Sequence, residues 1–209
     1  MTSSVSQSTP PTVRFEHEVI SDLVNPGAKV LDLGCGEGQL LELLKKSKNA
    51  KGTGVEVAQE KVYKCISKGL TVFHGDIDEG LADFPDKSFD YVLLTDTLQE
   101  VRSPSLVIKE MLRVGKQCIV SFPNFGFWSV RVQLLLFGRS PITRALPYDW
   151  WETPNLHFFT VRDFFRFCKS EGFHISQSVF IRNGKRVNMT PNLFAEDAVC
   201  VLQSPGSKE

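Results

Sequence analysis

Residues 30–38 read Val-Leu-Asp-Leu-Gly-Cys-Gly-Glu-Gly, and the segment Gln39 to Lys48 that follows carries leucines at 40, 41, 43 and 44. A short β-rich run from Lys29 to Leu33, three glycines at alternate positions and a leucine stripe predict a strand, a tight turn and a helix, in that order. Glycine lets a backbone turn sharply and approach a ligand with no Cβ in the way. The start of the next helix offers N–H groups with no partner inside the helix. Many nucleotide-binding turns share this spacing, so it constrains the architecture before it constrains the ligand.

The rest of the chain repeats the alternation. Phe15 to Val24 has helical spacing of apolar residues and stops before Asn25-Pro26-Gly27. Strands are expected at Gly52–Val57, Leu70–His74, Phe89–Leu94 and Gln117–Phe122. Helices are expected at Gln59–Lys68 and from Pro104 to about Val114, with Ser103 as N-cap and Pro104 at the first helical position. Strands alternating with helices at this spacing predict an α/β, Rossmann-like fold, a parallel sheet with helices on both faces. The right-handed crossover rule restricts its topology. Further on, Trp128–Phe137 reads as an apolar helix and Val161–Glu171 as an amphipathic one. His174–Ile181 and Phe194–Leu202 read as two closing strands, with a turn signal at Asn183-Gly184-Lys185 between them.

Composition bounds the function. The 209 residues balance 24 Lys plus Arg against 24 Asp plus Glu. A chain with no basic excess is a poor candidate for nucleic acid or for an anionic membrane. Hydrophobic residues make up 42% and charged residues 23%, as in globular proteins. The cysteines (35, 65, 118, 168 and 200) form no CxxC pair and are odd in number, which fits free thiols in a reducing compartment. The four histidines show no metal-binding spacing, so no metal site is expected. The Ser/Thr-rich start lacks the basic and apolar regions of a signal peptide. A cytoplasmic protein is expected. Residues 1–12 are expected to form a flexible tail, 13–202 a single domain and 203–209 a second tail. Within the domain, 124–160 is expected to be a variable lid or partner-binding insertion.

Two acids extend the glycine turn into a candidate pocket. Glu56 ends the second strand, about 20 residues past the turn, where an acid accepts the hydroxyls of a ribose. Asp76, after the third strand, is placed to accept a hydrogen bond from an adenine amino group. Asp32 and Glu37 add negative charge where a pyrophosphate would be repelled. Two carboxylates suit a ligand with an ammonium or sulfonium group and no phosphate, which points to S-adenosylmethionine, with S-adenosylhomocysteine as product or bound form. Asp32 would order its methionine end. The expected cofactor set is Asp32, Gly34, Cys35, Gly36, Gly38, Glu56, Val57, Asp76, Ile77 and Thr95. Arg14 is a candidate to close over the ligand carboxylate.

VLDLGCGEG, GVEV, HGDI and FDYVLLTDTLQEV together resemble the class I S-adenosylmethionine-dependent methyltransferase fold. That resemblance implies a seven-stranded, mostly parallel sheet with one antiparallel strand near the end. The stretches SFPNFGFW and RALPYDWWETPN are similar to the MetW methionine-biosynthesis family, over about residues 13–202. Membership implies a role in methionine synthesis in partnership with a homoserine O-acyltransferase, as an accessory or regulatory protein. It does not require that a methyl group be transferred.

The alternative is an active small-molecule methyltransferase. After the fourth strand the chain reads Thr95-Asp96-Thr97-Leu98-Gln99, with neither the Asn/Asp-Pro-Pro-aromatic loop of nitrogen-methylating enzymes nor a Pro-Cys nucleophile. Positioning alone can drive methyl transfer to a nucleophilic acceptor, so this lack is not decisive. In that reading Tyr148, Trp150 and Trp151 form an acceptor lid and His157 is the candidate general base. The same aromatic segment, rimmed by Arg131, Arg139 and Arg144, also suits a protein interface.

Overall fold

The computed structural model describes residues 14–204. Helix α1 (Phe15–Leu23) leads into strand β1 (Lys29–Leu33), then α2 (Gln39–Lys48), β2 (Lys51–Glu56), α3 (Gln59–Ser67) and β3 (Thr71–His74). A 3₁₀ turn at Ile77–Glu79 precedes β4 (Phe89–Leu94), α4 (Pro104–Val114) and β5 (Gly115–Pro123). The C-terminal part holds α5 (Trp128–Phe137), α6 (Val161–Glu171), β6 (His174–Arg182), β7 (Lys185–Arg186), α7 (Pro191–Phe194) and β8 (Asp197–Gln203).

The strands form one sheet in the order β3-β2-β1-β4-β5-β8-β6-β7. The first five are parallel, as the alternation predicts. β8 runs antiparallel between β5 and β6. The sheet therefore has eight strands where seven were expected. The difference is β7, two residues long and paired with the end of β6. Asn183 and Gly184 link them with φ of 48° and 67°, the left-handed pair that a two-residue hairpin turn demands. The turn signal was legible, but it closes this short hairpin. The connection from β6 to β8 runs on through β7 and α7.

Central strands buried on both faces explain the near-continuous apolar runs. Leu31, Leu33, Val92, Leu94 and Phe122 pack on one face with Ile108 and Met111 of α4 and Phe164 of α6. Val30, Leu93, Ile119 and Val199 pack on the other with Val19 and Ile20 of α1 and Leu40 and Leu44 of α2. Edge strand β3 is mostly exposed. The start of α6 is fixed by a capping box, Thr160 accepting from Asp163 N and Asp163 accepting from Thr160 N. Ser103 takes the N-cap position of α4 and Pro104 the first helical one, as expected, but the Ser103 side chain makes no capping hydrogen bond. The Asp78 carboxylate instead accepts from Arg102 N at 3.0 Å and Ser103 N at 3.4 Å.

Gln203, placed with the C-terminal tail by sequence, is the last residue of β8 and lies opposite His174. The expected tail at 1–12 and the end of the other lie outside the described residues. All five cysteines are free and buried. Among the described residues, no helix is long and apolar enough to cross a membrane, and no group of His, Cys, Asp and Glu is arranged to hold a metal ion.

Candidate functional site

A cavity of about 540 Å³ opens at the C-terminal ends of β1, β2 and β4. This is where ligands bind in open α/β sheets, because the crossover loops part there. The glycine turn forms its floor. Gly34 N and Cys35 N both donate to Val55 O, at 2.8 and 3.1 Å, fixing the turn against β2. Gly34 has φ +70°, and a Cβ on it would lie 2.9 Å from Thr97 Oγ1. Gly36 has φ +58°, lines the cavity, and leaves nothing within 4 Å of where a Cβ would stand. A Cβ there would project into the open cavity.

Glu56 ends β2 at 5% exposure. Its Oε2 accepts from Gly36 N at 2.8 Å and its Oε1 from Ala58 N at 2.9 Å. One residue thus ties the glycine turn of β1 to the start of α3. Each oxygen keeps a lone pair for a further donor.

Asp32 is buried on β1, 2% exposed, and still lines the cavity. Burial, then the neighbouring Glu56 charge, raises its pKa to about 7. No protein hydrogen bond contributes to that shift. An unpaired carboxylate beside a second carboxylate is costly unless a cation arrives.

Of the residues expected around the cofactor, Asp32, Gly34, Cys35, Gly36 and Glu56 line the cavity, as do Val57, Asp76, Ile77 and Thr95. Asp76 Oδ1 accepts from Asp78 N at 2.9 Å and so caps the 3₁₀ turn. The Cys35 thiol is pushed up by burial and by the Asp32 charge. Two of the expected residues stand elsewhere. Gly38 is the left-handed N-cap of α2, and a Cβ there would meet Leu70 Cδ1 at 2.3 Å, so its glycine serves packing. His157 does not line the cavity; its Nε2 lies 3.0 Å from Val101 O. Trp150 and Trp151 point to solvent, 69% and 62% exposed, while Tyr148 reaches the cavity wall.

Sequence reasoning missed a carboxylate group behind the cavity mouth. Arg14 Nη1 pairs with Asp96 Oδ2 at 2.6 Å, and both line the cavity. Glu16, 6% exposed, has its pKa raised by burial and then by Asp96. Burial, then the Asp96 charge, raises Asp197 to about 7. His17, also at the cavity, is lowered to about 4 by burial and then by Arg14, so it is neutral at pH 7. One signal was available. Glu16 stands three and four residues before Val19 and Ile20, on the stripe that α1 buries.

Sheet order, glycine turn and strand-end acids together define the class I S-adenosylmethionine-dependent methyltransferase fold. Solved structures agree. An S-adenosylmethionine dependent methyltransferase from Mesorhizobium loti matches with a TM-score of 0.68 at 16% identity, covering 91% of this chain and 98% of that one. One from Archaeoglobus fulgidus matches with a TM-score of 0.63 at 16% identity, covering 90% and 94%. Within that fold the chain belongs to the MetW family of methionine biosynthesis, whose model, "Methionine biosynthesis protein MetW", matches residues 14–202. It is 37% identical over 201 residues to the bifunctional methionine biosynthesis protein MetXA/MetW of Rhodopirellula baltica. The match covers 90% of this chain and 32% of that relative, so the chain spans about a third of its length.

Proposed function

We propose that this chain binds S-adenosylmethionine or S-adenosylhomocysteine in the cavity and acts as a regulatory partner of a homoserine O-acyltransferase in methionine biosynthesis. The observation that carries the ligand is Asp32, a buried carboxylate without a protein donor, set beside Glu56 in a cavity floored by glycine. Such a site favours a ligand that brings an ammonium group and a ribose diol. Asp32 would take the ammonium, Glu56 the ribose hydroxyls and Asp76 the adenine amino group. Gly34 and Gly36 would let the ligand lie against the backbone, with Cys35, Val57, Ile77 and Thr95 along the wall. S-adenosylmethionine would supply a sulfonium-activated methyl group.

The partner is supported by the Rhodopirellula relative, in which a MetW unit shares a chain with MetXA. A ligand made from the pathway's end product suits a regulator, because its level reports whether more methionine is needed. A cytoplasmic location goes with this reading. In the alternative, a small-molecule methyltransferase, the candidate base His157 stands one residue back from the cavity, its Nε2 3.0 Å from the O of cavity-lining Val101.

The test is an acyltransferase assay with and without this chain, across a range of S-adenosylmethionine. The proposal expects the chain to change the rate and S-adenosylmethionine to tune that change. An acyltransferase indifferent to both additions would overturn it.

A further inference from the structure

Among the described residues, twenty large apolar side chains are exposed, and twelve of them fall between Trp128 and Phe158. Helix α5 is the centre of this patch. Seven of its ten residues are apolar, yet only Val130 is buried. Leu135, Leu136 and Phe137 are 83%, 67% and 63% exposed, and Trp150, Trp151 and Leu156 of the following segment are exposed as well. Apolar helix surface left unpacked is relieved when something covers it. Exposed apolar side chains concentrated in one segment mark a candidate interaction site.

The charges beside it indicate what covers it. Every Lys or Arg between residues 124 and 160 is an arginine, the cation that interfaces favour over lysine. Arg139 and Arg144 are exposed and make no ion pair among the described residues. The complementary occupant is a folded protein with an apolar patch rimmed by carboxylates. Fusion to MetXA in the Rhodopirellula relative supplies one partner of the right kind, held at high effective concentration by the shared chain.

This face is also wired to the cavity. The Gln133 side chain donates to Ile142 O at 3.2 Å and accepts from Ile142 N at 3.1 Å, stapling the segment after α5 to that helix. At its far end Leu156 N and His157 N both donate to Gln99 O, at 2.9 and 3.0 Å. Gln99 lies in the loop that carries Thr97, Glu100 and Val101 into the cavity wall. Between those two ties, Tyr148 lines the cavity itself while Trp150 and Trp151 face solvent.

We propose that the exposed face of α5 and the 142–158 strap is the docking surface for the acyltransferase, and that the strap couples docking to ligand occupancy of the cavity. This rests on the partner and ligand reading above. The test mixes the purified full-length chain with the homoserine O-acyltransferase of the same genome and follows the complex by sedimentation. Leu135→Glu and Trp151→Ala are expected to weaken it at least tenfold. Phe73→Ser, at an exposed apolar residue on the far edge strand, is expected to leave it within twofold. Thermal melts within two degrees of wild type would show that the variants fold.

A second arm measures S-adenosylmethionine affinity with and without the acyltransferase. A shift of at least threefold is expected, with the same factor in the reverse experiment, because linkage is reciprocal. A complex that both variants form as well as wild type would overturn the surface and leave the partnership standing. No complex with the wild-type chain would overturn the partnership itself. A self-associated chain that Leu135→Glu disperses would give the face to a second copy and overturn this assignment. Equal ligand affinity in the two states would overturn the coupling alone.

Discussion

The cavity and the strap beside it handle surface in opposite ways. Around the cavity, Asp32 and Glu56 are carboxylates taken out of water, and the apolar residues of their strands are packed away. Along α5 and the strap, Leu135 and Trp150 are apolar residues left in water. Both arrangements raise the free energy of the isolated chain, and each is relieved by a different visitor. Buried unpaired charge is relieved by a small cation with hydrogen-bond donors. Exposed apolar area is relieved by a large apolar face. A chain carrying both next to one another reads as a device that meets a metabolite at one surface and a protein at the other.

If that contrast holds, changes at the cavity reach the ligand first, and changes on α5 and the strap reach the partner first. The largest expected effect is at Glu56. Glu56→Ala removes the acceptor for Gly36 N and Ala58 N together with the proposed ribose contact. Calorimetry should show S-adenosylmethionine affinity down by about a hundredfold or more, as expected for losing two charge-assisted hydrogen bonds.

Asp32→Asn comes next, with a loss of roughly ten- to thirtyfold for one charged contact. It also carries a pH signature. The carboxyl has its pKa raised from 3.8 to about 7 in the folded chain, so between those values the folded state binds more protons than the unfolded state. Stability of the ligand-free chain therefore falls as pH rises from about 4 to 7 and levels off above, with Asp197 adding in the same direction. Asp32→Asn should flatten that slope and raise the melting temperature at pH 7.5, through a stabilisation on the order of 2–4 kcal/mol. Ligand binding should tighten from pH 6 to pH 8 in wild type and lose that dependence in the variant.

Smaller effects separate packing from recognition. Gly34→Ala places a methyl 2.9 Å from Thr97 Oγ1 at φ +70° and should cost about 1–3 kcal/mol of stability, measured by urea unfolding. Gly36→Ala meets no protein atom, so its strain alone, about 1 kcal/mol, should appear in unfolding while the ligand is lost. Least of all, Leu135→Ser at an 83% exposed site should change stability by no more than about 0.5 kcal/mol and leave ligand affinity unchanged. An equal ligand loss there would erase the distinction between the two surfaces.

What the sequence made legible was local. The strand, glycine turn and helix at 29–48 need only neighbouring residues, and the acid at Glu56 stands at a distance set by one βαβ unit. Apolar runs buried on both faces also read directly as central strands. What escaped was assembled by topology. Glu16, Asp96 and Asp197 come together because β8 inserts antiparallel beside β5 while α1 packs nearby, and no spacing along the chain encodes that. Gly38 and His157 stand off the cavity wall for a related reason. A glycine in a motif does not say whether its missing Cβ makes room for a ligand or, as here, for Leu70. A histidine in an aromatic stretch does not say which backbone carbonyl it faces.

The central claim is that the glycine turn and its strand-end acid hold S-adenosylmethionine. Calorimetric titration of the wild-type chain and Glu56→Ala at pH 7.5 tests it most directly. The account predicts saturable one-to-one binding by wild type that Glu56→Ala loses while still melting cooperatively. A folded wild-type chain that binds nothing, or a variant that binds equally well, would contradict it.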